Sequence, residues 1–324
     1  GGGVALTAAL TGLVAGTVTI TDSLTYTAAP DLRGIGKVLI RGEENERPVV
    51  RLSPNPWVFE GGGKDSVLTL EGLWMSGVDV VLKGEFAEVQ LYCCTFDPGE
   101  DLDASGSVPL SVDNRPLAPT TLWIEGSIAK LTLRRSICGP IRALVKGTVT
   151  GTVVAMVLED SIVQAVRTST SGSFPEAITA AEAELSLTRS TILGRVATRR
   201  ISASESILCG LANAAHAQSG CVRFCAYVDG SRLHQPYESV GIRERAAIFR
   251  SRRFGDPDYA QLSPLADREI ISGEPGAGIL AGAQDGSEIG AFAREKNPIK
   301  ERGLRTKLNE FMPVGLTPVL IYVT

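Results

Sequence analysis

The sequence predicts an all-β protein built as a single-stranded parallel β-helix, a solenoid of stacked short strands. A strand-like phrase recurs six times along the 324 residues, and the intervals between its copies are too rich in Gly, Ser and Thr for amphipathic helices. The 35 glycines and 17 prolines indicate many turns. Hydrophobic residues at 44% and charged residues at 21% are typical of a chain with a core, which excludes disorder and a coiled coil.

The repeated phrase combines an alternating strand, two polar residues and a small turn residue, as in Leu131-Thr-Leu-Arg-Arg-Ser-Ile and Met156-Val-Leu-Glu-Asp-Ser-Ile. Its small residue stands 21, 42, 25, 29 and 16 positions after the previous copy, so the second interval is twice the first. Strands of about four residues cannot bury an apolar face alone, but parallel stacking lets each cover its neighbour. The aligned small residues are Leu73, Cys94, Ser136, Ser161, Ser190 and Ser206.

Two other folds fit this pattern less well. A doubly wound α/β fold needs helices of about ten or more residues between its strands, and the intervals do not have that pattern. A β-sandwich needs hairpin turns rather than one recurring phrase. The repeat therefore favours the solenoid.

Stacking predicts that equivalent residues of successive repeats lie about 4.8 Å apart and interact. The residues just before the small position alternate in sign, so we expect the guanidinium of Arg135 beside the carboxylate of Asp160. We interpret them as a solvent-facing ladder of opposite charges, each pair contributing about 0.2–1 kcal/mol. The aligned serines would form a second ladder that shares hydroxyl hydrogen bonds. The charged residues are Arg135, Asp160, Arg189 and Glu205, with Arg134 and Glu159 one place earlier.

The predicted organisation has three parts. Residues 1–16 form an N-terminal cap, because apolar residues recur there at helical spacing. Residues 17–292 form the β-helix, with an irregular insert at about 213–253, and residues 293–324 form a C-terminal tail. In this tail Asn297 and Pro298 predict a helix start. Further strands are predicted at 17–26, 37–41, 49–52 and, at the end of the chain, 318–323.

Charge and cysteine content exclude several classes of protein. The net charge of −4 does not suit a basic nucleic-acid binder, and two histidines are too few for a multi-histidine metal site. Six cysteines are too few for a disulfide scaffold and predict buried, reduced thiols. No uncharged apolar run approaches the ~20 residues that span a bilayer, so we expect a soluble chain without a membrane span.

The motifs of nucleotide, serine-hydrolase and metalloprotease chemistry do not occur, namely G-x-G-x-x-G, G-x-S-x-G and H-E-x-x-H. An acidic loop at 97–103 lacks the spacing that binds calcium. A basic cluster at 243–253 suits an anionic ligand, a solvated face or pairing with the acidic first half of the chain. We predict no cofactor and no metal, and assign no residue a catalytic role. The loop contains Asp97, Glu100, Asp101 and Asp103, and the cluster contains Arg243, Arg245, Arg250, Arg252 and Arg253.

Two stretches near the C-terminal end resemble a known protein family. The stretch Phe254-Gly-Asp-Pro-Asp-Tyr-Ala-Gln-Leu-Ser-Pro, followed by Gly282 and by Asp285-Gly-Ser-Glu-Ile-Gly-Ala-Phe, resembles the closing coil of right-handed parallel β-helix proteins of the pectate-lyase-like superfamily. This resemblance implies the right-handed sense of the helix. Residues 20–324 also resemble uncharacterised bacterial β-helix proteins, often encoded beside phage-tail-like contractile injection machinery. This second resemblance implies no role for any single residue.

Two functions follow as hypotheses. The first is a non-enzymatic structural or binding module of a larger phage-tail-like or surface assembly, with protein partners or a surface glycan. Its setting would be a particle assembled in the bacterial cytoplasm or the extracellular space, and its oligomeric state stays open. The chain starts without Met, so we expect it to begin inside a longer protein or after processing. The alternative is a polysaccharide lyase or glycoside hydrolase that acts in a groove, with Glu71, Asp97, Glu159, Asp160 and Glu205 as candidate acids and Arg134 or Arg135 as base or clamp.

Overall fold

The computed structural model describes residues 3–52, 55–112, 114–143, 145–146, 149–168, 174–244, 246–263, 278–316 and 319. Strands hold 43% of the residues and helices 10%, which confirms the all-β prediction. In chain order the helices and strands are α1 (Gly3–Leu10), β1 (Gly16–Ile20), β2 (Thr25–Tyr26), β3 (Leu32–Ile35), β4 (Lys37–Gly42), β5 (Val49–Val50), β6 (Trp57–Gly62), β7 (Val67–Glu71), β8 (Trp74–Met75), β9 (Val80–Tyr92), β10 (Thr95–Phe96), β11 (Leu122–Ile124), β12 (Ser127–Arg134), β13 (Ile137–Cys138), β14 (Ile141–Ala143), β15 (Val145–Lys146), β16 (Val149–Thr150), β17 (Thr152–Glu159), β18 (Ile162–Gln164), β19 (Glu176–Thr188), β20 (Thr191–Leu193), β21 (Arg195–Ser204), β22 (Ile207–Leu208), β23 (Ala212–Ala214), β24 (Val222–Arg223), β25 (Ala226–Val228), β26 (Pro236–Tyr237), β27 (Val240–Ile242) and α2 (Asn297–Phe311).

Two large parallel sheets contain nearly all of these strands. The smaller sheet has ten strands in the order β2-β5-β8-β10-β13-β18-β20-β22-β25-β27, so each strand pairs with its counterpart in the next repeat. The larger sheet has fifteen strands, and its pairs are parallel as well. Among the described residues, β15 and β16 form the one antiparallel pair of named strands. The predicted parallel stacking of successive repeats is therefore confirmed.

The larger sheet has two parts, and long strands such as β9 and β19 run through both of them. The first part of β9 pairs with β6 and β11, and its last part pairs with β7 and β12. In the same way β19 pairs with β14 near its start and with β17 near its end. Hydrogen bonds thus join β9, β11, β14, β19, β17 and β12 into a closed ring of six strands. This arrangement is compatible with a β-helix-like solenoid.

The core consists of apolar side chains that stack from repeat to repeat, because parallel strands in register place equivalent residues above one another. Each buried aliphatic side chain contributes about 1.5–3 kcal/mol by leaving water. One such ladder runs along the end of the larger sheet's strands and is buried throughout. Its members are Ile40, Leu70, Leu91, Leu133, Leu158, Leu187, Ala203 and Val222.

One turn of the repeat, which we call the glycine corner, brings the backbones of successive repeats into contact. Its members are Gly61, Gly84, Gly126 and Gly151. A Cβ atom on Gly126 would lie 2.1 Å from the carbonyl oxygen of Gly84, and one on Gly84 would lie 2.4 Å from that of Gly61. Side chains are excluded at this corner because backbone atoms occupy the space that they would need.

Residues 212–242 differ from the expected irregular insert at 213–253. They contain five short strands, β23 to β27, which pair in parallel with the preceding repeats or with one another. Strands of two or three residues are too short to display an alternating pattern, so periodicity could not identify them. Residues 246–263, by contrast, contain isolated bridges such as Phe249 to Leu262 rather than strands.

Each end of the described chain contains a helix, and the N-terminal one packs on the sheets. Within the predicted cap, α1 buries Leu6 and Leu10 against β1 and β2. The tail helix predicted from Asn297 is observed as α2. The strand expected at 318–323 lies outside the described residues. No helix in the described part of the chain is long and apolar enough to cross a membrane.

Candidate functional site

The residue before each aligned small residue adopts a left-handed backbone conformation, and we call this turn the serine corner. Arg135, Asp160 and Arg189 have φ of 48°, 49° and 45°. Such values are rare outside Gly and Asn because the Cβ atom crowds the backbone. The same conformation recurs in every repeat from the third onward, which places each following side chain toward the interior. The left-handed residues are Gly72, Cys93, Arg135, Asp160, Arg189, Glu205, Phe224 and Glu238.

The predicted serine ladder is present at this corner. The Oγ of Ser161 donates to the carbonyl of Glu159 at 2.8 Å and accepts from the backbone N–H of Ser136 at 3.2 Å. Ser190 and Ser206 repeat both contacts. Each hydroxyl thereby adds a donor to one carbonyl of its own repeat and accepts from one N–H of the preceding repeat. Without the hydroxyl, that buried N–H would lose its side-chain partner.

The charge ladder is present in part. Arg189 contacts Asp160 at 2.6 Å and Glu159 at 3.0 Å, and Arg134 contacts Glu159 at 2.7 Å. The expected pair of Arg135 with Asp160 is wrong, because among the described ion pairs Arg135 has none. Arg294 takes that place, 3.0 Å from Asp160 and 3.2 Å from Glu159.

The ladder is also less exposed than predicted, since only 8% of the Asp160 side chain is exposed. A C-terminal segment, residues 284–296, covers it, and we call this segment the strap. The N–H of Gly290 donates to the carbonyl of Glu205 at 2.8 Å, and the N–H of Ala291 donates to Thr191 Oγ1 at 3.0 Å. The strap contains the Asp285-Gly-Ser-Glu-Ile-Gly-Ala-Phe stretch that resembles a closing coil. Here that stretch lies across the side of earlier repeats and forms no strand.

Five of the seven candidate catalytic residues line one depression of about 410 Å³ at the serine corner, namely Glu71, Arg134, Arg135, Glu159 and Asp160. Glu205 is connected to this depression by Arg189, whose guanidinium lies 4.0 Å from the Glu205 carboxylate. Asp97 lies in a different turn. A general acid or base needs a carboxyl group that can exchange a proton with the substrate. Glu159 instead has three guanidinium partners and Asp160 has two. These ion pairs join neighbouring repeats and, through Arg294, attach the strap.

A second, larger groove of about 500 Å³ lies on another side of the molecule, and sequence reasoning missed it. The turn at 99–101, the end of β18 and residues 252–253 form its walls. Leu193, Ala165 and Cys209 contribute apolar surface, while Glu100 pairs with Arg253 at 3.0 Å on the rim. Its walls come from segments about 150 residues apart in the chain, so no local pattern could reveal it.

The acidic loop at 97–103 does not gather into a cation site. Asp97 accepts hydrogen bonds from Ser76 Oγ and from the Gly99 N–H, both at 2.9 Å, and burial raises the pKa of its carboxyl above the usual range. Asp101 accepts from the Arg167 N–H at 2.7 Å. The described residues hold no group of three or more potential metal ligands.

The basic cluster at 243–253 is dispersed as well. Arg250 contacts Glu301 of α2 at 2.7 Å, and Arg253 reaches Glu100 in the acidic first half of the chain. Arg252 lines the larger groove. Arg245 lies outside the described residues. Two of these arginines therefore hold segments of the chain together.

All six cysteines are free thiols, and four of them are buried. Burial raises the pKa of Cys94 and of Cys209 to about 12, so both remain protonated and unreactive at neutral pH. Cys93 is exposed and Cys94 buried, because the two neighbours point to opposite sides of the serine corner.

No protein-family model matches the chain, and no curated protein matches it. The candidate sites therefore rest on their own geometry.

Proposed function

We propose that the chain is a right-handed parallel β-helix of the pectate-lyase-like type. The support is the parallel pairing of equivalent strands in successive repeats, together with a ladder of left-handed corner residues. The handedness comes from the resemblance of the C-terminal motifs. Each repeat covers the apolar side of the one before it, which gives a rigid rod with flat outer faces.

This β-helix acts as a non-enzymatic structural or binding module within a larger phage-tail-like or surface assembly. The observation that carries this proposal is the use of the candidate acids Glu159 and Asp160 as ligands for Arg134, Arg189 and Arg294. Carboxylates with two or three guanidinium partners stabilise a fold rather than transfer protons. Protein partners or a surface glycan would bind the outer faces.

A polysaccharide assay tests the non-enzymatic part. We expect the purified chain to release neither reducing ends nor unsaturated products from a panel of acidic and neutral polysaccharides. Glu310→Ala, which removes an exposed carboxylate of α2, serves as the matched control for Asp160→Ala. Cleavage that Asp160→Ala or Arg135→Ala abolishes, and that Glu310→Ala retains, would contradict the proposal.

A second assay tests the assembly part. We expect a stoichiometric complex when the chain is co-expressed with tail or baseplate proteins of a contractile injection system, measured by gel filtration with light scattering. A chain that migrates alone in every combination, and that binds no surface glycan, would be inconsistent with a module of such an assembly.

The alternative of a glycan-cleaving enzyme has one observation in its favour, the larger groove. Its volume of about 500 Å³, its apolar floor and its charged rim are typical of ligand pockets. Arg252→Ala, with Arg243→Ala outside the groove as its control, separates this alternative from the module. Loss of cleavage or glycan binding in Arg252→Ala alone would place the ligand in this groove.

A further inference from the structure

Glu288 is a buried carboxyl group at the junction between the strap and α2. Its residue is only 2% exposed. The Oε1 atom accepts a hydrogen bond of 3.0 Å from the N–H of Asn297, the first residue of α2. The N-cap residue, Lys296, makes no side-chain hydrogen bond that caps the helix. The Glu288 carboxyl therefore satisfies one of the backbone donors that a helix start leaves unpaired.

The strap is fixed to the body ahead of this junction. The N–H of Gln284 donates to Glu205 Oε1 at 3.2 Å, and Arg294 contacts both carboxylates at the serine corner. A Cβ on Gly290 would lie 2.8 Å from Ile207 and from Thr191 Oγ1, so the strap backbone sits directly on β20 and β22. The strap therefore forms the base to which α2 is attached.

Within the described residues, α2 has few contacts with the body. Its Glu301 pairs with Arg250 at 2.7 Å, and both side chains are largely buried. Three of its apolar residues are exposed, to 48% for Ile299, 46% for Leu304 and 85% for Phe311. Little apolar burial holds the helix in place, so the contacts at its first turn decide whether it stays docked.

The charges around Glu288 are mixed. Burial raises the pKa of Glu288 to about 7, the Asn297 N–H and Lys300 act in the opposite direction, and Glu295 adds to the rise. On the strap, Asp285 and Lys296 neutralise each other at 3.1 Å. Arg294 of the strap pairs with the carboxylates of Glu159 and Asp160. The charged groups of the body under the strap are Glu205, Glu159, Asp160 and Arg189.

We propose that the strap and α2 form a pH-sensitive latch, which is closed when Glu288 is protonated and opens when it ionises. In the closed state Glu288 is only 2% exposed, whereas opening α2 hydrates it. The neutral carboxyl therefore favours the closed state and the carboxylate favours the open state. The closed state is fully stabilised below the ordinary Glu pKa of 4.5, and this stabilisation is lost as the pH rises through about 7.

Amide hydrogen exchange measures the latch. The protection factors of the α2 amides, corrected for intrinsic exchange, are compared at about pH 5 and about pH 8. We expect them to fall about 70-fold in the wild-type chain, because the pKa of Glu288 is about 7 in the closed state and 4.5 in the open state. The amides of β12 and β17 should keep their protection, because the solenoid does not open.

Glu288→Gln keeps the shape and cannot ionise, so its α2 protection should change less than about threefold over the same range. Glu310→Gln, an exposed carboxyl on the same helix, should behave as the wild type. A wild-type helix with constant protection would overturn the latch, and so would an equal fall in Glu288→Gln or an equal loss in β12 and β17.

A measurement on the wild-type chain keeps the test decisive if Glu288→Gln does not fold. NMR of a chain that carries carbon-13 in its glutamate carboxyl groups should detect one group that titrates near pH 7. The α2 amides should be protected at the pH values where this group is protonated. If every glutamate titrates near its ordinary value, the latch is excluded.

Discussion

The glycine corner and the serine corner join the same strands by opposite means. At the glycine corner, backbone atoms of Gly61, Gly84 and Gly126 touch those of the neighbouring repeats, with no room for a side chain. At the serine corner, side chains make the connection, and each serine hydroxyl joins two repeats. The glycine corner therefore depends on the absence of side chains, whereas the serine corner depends on hydrogen bonds made by side chains.

This difference determines what each corner tolerates. The left-handed position of the serine corner holds Gly, Cys, Arg, Asp, Glu and Phe in different repeats, because its side chain points outward. The following position holds Ser four times in a row and Cys in two other repeats. The glycine corner admits no such variety, since every Cβ would overlap a carbonyl group. Substitutions at the two corners should therefore differ in size and in what rescues them.

The largest effect is expected at Gly126. A Cβ there would lie 2.1 Å from the Gly84 oxygen and 2.7 Å from its nitrogen, and both belong to backbone that the sheet holds in place. The two repeats must move apart, so Gly126→Ala should lower the free energy of unfolding by about 3 kcal/mol or more. Denaturant unfolding monitored by circular dichroism measures the loss.

Gly63, which follows the glycine corner two residues after Gly61, gives the matched control. No heavy atom lies within 4 Å of the Cβ position there, so Gly63→Ala should change the free energy of unfolding by no more than about 0.5 kcal/mol. Equal losses in the two variants would mean that backbone contact does not distinguish the glycine corner.

A smaller effect is expected at Ser161, which is fully buried. Ser161→Ala leaves the Ser136 N–H and the Glu159 carbonyl without their side-chain partner, which should cost about 2 kcal/mol. Ser161→Cys should cost less than Ser161→Ala, because Cys94 and Cys225 occupy the equivalent position elsewhere. The Cys225 Sγ there lies 3.0 Å from the Arg223 carbonyl. A cysteine variant that is no better than alanine would show that a thiol does not replace the hydrogen bonds of the hydroxyl at this position.

The serine ladder could be predicted from the sequence because each serine stands in a local phrase that repeats. The parallel stacking followed for the same reason. The left-handed turn was missed, since Arg, Asp and Glu rarely adopt that conformation and local preference argues against it. Arg294 was missed because it meets Glu159 across 135 positions of sequence, and no repeat connects the two residues.

The same distinction applies to the remaining sites. Glu288 stands in a motif that the resemblance identified, but its burial depends on where the strap lies. The larger groove depends on residues 252–253 reaching the turn at 99–101. Periodicity predicts contacts between neighbouring repeats, whereas contacts made by segments outside the repeat depend on packing that the phrase does not encode.

The smallest effects are expected at the left-handed position, where Arg135 and Arg189 provide the comparison. A non-glycine residue in this conformation costs roughly 1–2 kcal/mol, and glycine removes that cost while adding entropy to the unfolded chain. Among the described ion pairs Arg135 has none, so Arg135→Gly should raise the free energy of unfolding by about 0.5 kcal/mol. Arg189→Gly gains the same relief but loses the contacts with Asp160 and Glu159, so it should lower stability by about 1 kcal/mol.

Urea unfolding of both variants gives the comparison directly, and salt should reduce the Arg189 effect because screening weakens ion pairs. If Arg135→Gly destabilised the chain as much as Arg189→Gly, the guanidinium of Arg135 would have a role in the fold that its position does not reveal.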